Sequence, residues 1–142
     1  MFLISHRGNL SGRDVKLENN PAQIQKVLDL GYHCEIDVWY INGVFLLGHD
    51  FPTIAVREYD LENPKLWCHA KTVESLQKML TNKNINCFWH EGDQYTLTSK
   101  GYIWTLPETR VEEKCVIVDN SKNITNYDCA GVCSDYIELY NT

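Results

Sequence analysis

The sequence predicts an α/β fold: a compact, reduced TIM-like (β/α) barrel with outer helices missing in its second half. Three observations predict it. Short apolar runs recur from end to end, eight in all. Amphipathic helical stretches separate the early runs, and this alternation implies a parallel sheet or barrel. The later connections leave no room for helices of similar length. An ordinary eight-stranded α/β barrel takes roughly 250 residues, whereas this chain has 142 and reads as one domain, 1–142. An incomplete, flattened or oligomer-completed barrel stays open, as does a homo-oligomer.

The elements follow in chain order. Phe2 to His6 is a first strand. Asn20 suits a helix N-cap, Pro21 suits the first helical position, Ile24, Val27 and Leu28 form an apolar stripe, and Gly31 ends it. The run CEIDVWYI is a second strand, followed by the tight-turn pair Asn42-Gly43 and a third run, VFLLGH. The fourth run is Leu66 to Lys71. A second helix starts at Thr72, with Val73, Leu76 and Leu80 as its stripe and Glu74 at the positive end of its dipole. Four more runs follow, at Asn86 to Glu91, Tyr102 to Leu106, Lys114 to Asp119 and Gly131 to Ile137.

Composition narrows the function. The formal net charge of −6 argues against a nucleic-acid partner, which needs a basic stripe, but leaves room for a small phosphate ligand. No apolar run reaches the ~18 residues of a membrane span, so no stable membrane insertion is expected. The start, MFLISHRG, reads as a strand rather than a leader, and a cytoplasmic location with six reduced cysteines is expected. Cys129 and Cys133 form only a weak C-x3-C signal. The glycosylation patterns at Asn9 and Asn123 are read as chance.

The chemistry gathers around a few positions. Glu35 and Asp37 alternate with Cys34, Ile36 and Val38, so both acids share one face of an apolar strand. Two neighbouring buried carboxylates are costly unless a cation neutralises them. A divalent metal with oxygen ligands does this, Mg²⁺, Mn²⁺ or Ca²⁺. His49 closes the third run beside Asp50. A strict two-residue turn would pair position 41 with 44 and put His49 opposite Ile36, on the wrong face. A longer loop with a bulge would repair the parity. His6, Arg7 and Gly8 end the first strand: an imidazole that moves protons near neutral pH, a fork for phosphate oxygens and a tight exit. Trp67, His69 and Lys71 share a face by period two, and Lys71 adds positive charge at a strand end. Of His90 and Glu91 only one can point inward. Asp119 and Asp135 end the last two runs, and like this pair they are thin candidates read as structural. Trp104 is mainly core, with a pocket wall as its alternative.

The ordered set His6-Arg7-Gly8, Glu18-Asn19, Gly31, Glu35-x-Asp37, Asn42-Gly43 and His49-Asp50 resembles the N-terminal half of the glycerophosphodiester phosphodiesterase family. The likeness is close over the first fifty residues. It continues more weakly through Lys71 to GVCSDY. The resemblance implies a phospholipase-C-like phosphodiesterase barrel of lipid metabolism that cleaves a small glycerophosphodiester-like substrate with a divalent metal. It implies His6 and His49 as the acid/base pair, Arg7 and Lys71 as substrate-binding residues, and Glu35 and Asp37 as metal ligands. Three departures stand out. His69 replaces the family's glutamate, leaving imidazole as the third metal ligand, the turn before His49 is one residue short, and the chain is far shorter than a typical member. A non-catalytic phosphate- or metal-binding module on a degenerate barrel is the alternative. A lipid phosphodiesterase of another type would need an exposed apolar rim at the mouth, for which the sequence offers no clear candidate.

Overall fold

The computed structural model describes residues 1–141. It is a mixed α/β structure built on a ten-stranded sheet, with strands predominating over helices. The strands are β1 (Phe2–His6), β2 (His33–Ile41), β3 (Val44–Leu47), β4 (Ile54–Val56), β5 (Leu66–Ala70), β6 (Cys87–Phe88), β7 (Tyr95–Leu97), β8 (Ile103–Thr105), β9 (Cys115–Val118) and β10 (Gly131–Ser134). Two α-helices, α1 (Pro21–Asp29) and α2 (Val73–Leu80), accompany short 3₁₀ turns at Glu58–Glu62 and Ile137–Tyr140.

Seven strands run parallel in the order β6-β5-β2-β1-β10-β9-β8. Hairpin partners β3, β4 and β7 add antiparallel pairs. Six inter-strand spacings of about 4.8 Å would put the ends of a flat sheet roughly 29 Å apart. Instead Phe88 of β6 and Trp104 of β8 touch, with ring centroids 4.5 Å apart. The sheet therefore curls until its ends meet. The inner side holds one apolar cluster contributed by six strands: Ile4, Trp67, Phe88, Trp104, Val116 and Cys133. Trp104 is buried in this core.

The sheet does not close into a barrel. Among the described residues no ladder joins β6 to β7 or β8. The reason is the brevity of β6. After Phe88 the chain leaves the ladder, and Ser99 closes the gap instead: its N–H donates to the Cys87 carbonyl (2.8 Å) and its Oγ accepts from the Cys87 N–H (2.9 Å). The segment after β6 also holds the β7 strand rather than a helix.

α1 begins as the sequence dictates, with the Asn20 side chain accepting from the N–H groups of Ala22 and Gln23, and it buries Ile24 and Val27. α2 begins at the Thr72 cap, but its stripe is rotated from the expected one. Ser75 and Met79 are buried, whereas Val73 and Leu80 are exposed. The cap sets this angle: Ser75 completes a reciprocal box with Thr72 and is drawn against the sheet. The outer faces of β2 and β5 (Cys34, Ile36, Val38, Leu66, Cys68, Ala70) pack with both helices in the second core cluster. All six cysteines are free thiols. No helix among the described residues is long and apolar enough to cross a membrane.

Candidate active site

Strand parity puts Glu35 and Asp37 on the inner side of the curled sheet, where both are buried. Register supplies their neighbours. His6 lies across from Glu35 in β1, and His69 lies across from Asp37 in β5. One ligand atom from each of Glu35, Asp37 and His69 falls within 4.8 Å of the others.

His69 is the informative member. Its Nε2 lies 3.0 Å from the carbonyl oxygen of His90, and its ring stacks flat on Phe88 at 5.2 Å. A carbonyl only accepts, so Nε2 carries the proton and a neutral ring keeps Nδ1 bare. That bare nitrogen points at Asp37 Oδ1 (3.2 Å) and Glu35 Oε1 (3.7 Å). A lone pair facing two ionised carboxylates is repulsive unless a proton or a metal ion lies between them. Asp37 Oδ1 and Glu35 Oε2 are themselves buried without a hydrogen-bond partner.

The other oxygen of Asp37 is crowded with donors. Asn19 Nδ2 donates at 3.0 Å, Arg7 Nε lies at 3.2 Å and His49 Nδ1 at 3.3 Å. The last two are close in distance but not aligned as hydrogen bonds. Asn19 also accepts from the Asp37 N–H at 2.9 Å. Lys71 Nζ stands 3.8 Å from Asp37 Oδ1. Arg7 and Asn19 both sit at φ 57°, a left-handed conformation uncommon outside glycine. Two backbone bonds hold them there, Arg7 N–H to Glu35 O at 3.0 Å and Asn19 N–H to Arg7 O at 2.9 Å.

His49 reaches Asp37 by a route other than the expected bulge. The turn at Asn42-Gly43 is the strict two-residue kind, pairing Ile41 with Val44 and Val38 with Leu47. The ladder then ends, because Gly48 adopts φ 154° and redirects the chain. Any side chain there would place its Cβ 2.0 Å from the Phe51 carbonyl oxygen. Leaving the ladder frees His49 from strand parity.

His6 is held by residues that sequence reasoning missed or set aside. Its Nδ1 lies 2.9 Å from Asp135 Oδ1, which also accepts from Asn9 Nδ2 at 2.8 Å. Asn120 accepts the Asp135 N–H at 2.9 Å. A carboxylate only accepts, so His6 presents a bare Nε2, 3.8 Å from Glu35 Oε2. Asp135, read from sequence as structural, is thus a positioning residue. Asp119 does hold structure, through Tyr127 at 2.9 Å and Ser121 at 2.9 Å. Of the next pair, His90 is the half-buried one and Glu91 is exposed. Burial holds His90 below its usual range.

The carboxylates divide their charge unequally. Burial first, and the neighbouring Asp37 second, push Glu35 well above the ordinary range. Burial pushes Asp37 the same way, but His49, Arg7 and Asn19 around its other oxygen outweigh it and hold its carboxyl below that range. Asp135 is likewise held low: burial opposes, and His6 and Asn9 prevail.

All seven residues singled out in the sequence, His6, Arg7, Glu35, Asp37, His49, His69 and Lys71, therefore meet around one acidic centre. No family model, curated protein or solved structure matches the chain.

Proposed function

We propose that this chain is a divalent-metal-dependent phosphodiesterase acting on a small glycerophosphodiester-like substrate, on an incompletely closed relative of the phosphodiesterase barrel. One observation carries the reading. Asp37 Oδ1 and Glu35 Oε1 face the bare Nδ1 of His69, Asp37 Oδ1 and Glu35 Oε2 are buried without hydrogen-bond partners, and four further basic side chains stand around them. Two carboxylates and an imidazole fit a divalent ion, and the imidazole tilts the preference from Mg²⁺ toward Mn²⁺ or Zn²⁺. Glu35, Asp37 and His69 would hold it. When bound it would supply Lewis-acid polarisation of a phosphoryl oxygen.

The remaining work belongs to the protein's own groups. Arg7 and Lys71 offset the negative charge that grows on the phosphoryl oxygens. Asp135 fixes the His6 tautomer, so that Nε2 is the atom that takes a proton from the attacking hydroxyl or water. His49, beside Asp37, returns a proton to the leaving alkoxide. Each transfer contributes about 10²–10⁴-fold.

Hydrolysis of bis(4-nitrophenyl) phosphate with Mg²⁺, Mn²⁺ or Ca²⁺ tests the reading. Turnover should need the metal, and His6→Ala and His49→Ala should each lose about 10²-fold or more. Full activity in either variant removes that histidine from the mechanism. Metal binding without turnover favours a non-catalytic phosphate- or metal-binding module, the reading toward which the open sheet and the histidine at position 69 lean.

A further inference from the structure

We propose that Asn9 is a positioning residue that sets the base and the anion binder of this site together: its single amide nitrogen braces both the carboxylate behind His6 and the carboxylate behind Arg7. The chemical roles of His6 and Arg7 rest on the phosphodiesterase reading. The brace itself rests on geometry.

The chain folds Asn9 back beside His6. Arg7 and Gly8 leave β1 at φ 57° and 94°, positive at both central positions as a type I′ turn requires. The Asn9 N–H closes that turn on the His6 carbonyl at 3.0 Å. Asn9 is left only 3% exposed, and each of its polar groups has a partner. Its backbone carbonyl accepts from Ser5 Oγ at 2.7 Å, and its Oδ1 accepts from the Asp14 N–H at 3.0 Å. A backbone N–H only donates, so the amide orientation is fixed and Nδ2 is the atom that meets the carboxylates. It donates to Asp135 Oδ1 at 2.8 Å and to Glu18 Oε1 at 3.1 Å, one hydrogen for each.

Each carboxylate serves a different group. Asp135 Oδ1 lies 2.9 Å from His6 Nδ1. Glu18 Oε2 lies 3.8 Å from Arg7 Nη1, while Glu18 Oε1 also meets Arg13 Nε at 3.0 Å. Among the described residues no other side chain donates to both acids. Two like charges brought this close repel unless a donor stands between them. Asparagine supplies that donor without a charge of its own and with two hydrogens on one atom. Moving either acid moves the imidazole or the guanidinium, and a misplacement of about 1 Å costs on the order of 10²-fold in rate.

Ring-nitrogen NMR of the metal-free protein tests the brace without turnover. At a pH where the ring is neutral, wild-type His6 should carry its proton on Nδ1. Asn9→Ser keeps an oxygen for the Asp14 N–H but cannot donate to both acids. It should leave His6 as a mixture of tautomers and shift the Arg7 Nε–H resonance. Glu18→Gln should shift the arginine and spare the histidine tautomer. In hydrolysis of the nitrophenyl diester, Asn9→Ser should lose about 10²-fold in kcat/KM. Combined with Asp135→Asn it should lose less than the product of the two single losses, because both act on one network. A folded Asn9→Ser protein with the wild-type tautomer and arginine resonance overturns the proposal. If that variant does not fold, Asn9→Asp, of equal size, sets a third carboxylate between the two, and unchanged resonances there overturn it equally. Absence of hydrolysis in every protein would instead defeat the phosphodiesterase reading, while the spectra would still decide the brace.

Discussion

At the scale of single residues, His69 is where the chemistry is tuned. Its Nε2 is committed to the His90 carbonyl at 3.0 Å and its ring is clamped on Phe88, so only Nδ1 can serve a cation. Outer contacts of this kind orient ligands and raise their basicity. Replacing it, His69→Glu, exchanges a nitrogen donor for a carboxylate and hardens the ligand set. Calorimetric titration should show Mg²⁺ gaining on Mn²⁺ relative to wild type, by on the order of tenfold. An unchanged ratio would place His69 outside the coordination shell. The acidic pair was legible because strict alternation in a buried strand leaves two carboxylates without a cheap explanation. Asp135 and Asn9 were not, because a lone polar residue beyond a strand end looks like any loop residue. The pairing that gives Asp135 its role joins positions 129 apart in sequence.

Among elements, the β2–β3 hairpin shows how local rules and site geometry interact. Asn42-Gly43 specifies a two-residue turn, and that turn sets a register which points position 49 the wrong way. Gly48 resolves the conflict by leaving the ladder, and its N–H still reaches the Asp37 carbonyl at 3.2 Å. Gly48→Ala should therefore do two things. It should destabilise the fold by about 1–3 kcal/mol through backbone strain, before any clash is counted. It should also cost as much activity as His49→Ala, because the histidine loses its place beside Asp37. Denaturant unfolding and diester hydrolysis check both, and a variant with wild-type turnover would show that His49 needs no such break. The turn and the parity problem are legible in the sequence and the glycine's role is not, since φ near 154° leaves no mark in composition. Nor are β4 and β7 legible there, three-residue strands that pair along the edges of β3 and β8. The α2 stripe was misread for a related reason. Helical periodicity gives a face, but the Thr72–Ser75 box fixes which way it turns.

On the scale of the whole molecule, closure and charge are linked. The parallel core was legible from the alternation of strands and helices, but whether the sheet would close depended on a β6 of two residues, which apolar content alone does not bound. What the curl does achieve is to enclose the acidic pair, and this makes stability depend on protons and metal together. Glu35 is raised by burial, so between the ordinary glutamate range and its folded value the native state keeps a proton that the unfolded chain has released. The unfolded state then binds fewer protons, and metal-free stability must fall as pH rises through that window. A divalent ion bound by Glu35, Asp37 and His69 takes the proton's place, and its binding strengthens over the same window as Glu35 ionises. Thermal melts should show little effect of Mn²⁺ in acid and a clear rise in Tm at mildly alkaline pH. The stabilisation there should approach about 2.7 kcal/mol at a hundredfold excess of metal over its Kd. Titration in buffers of different ionisation enthalpy should also detect proton release on binding. Glu35→Gln, which carries no such proton, should remove both this fall of the metal-free melt with rising pH and the released proton. A metal-induced rise in Tm that is the same at every pH would show that the acidic pair is already ionised without the ion, and the electrostatic basis of the site would fail.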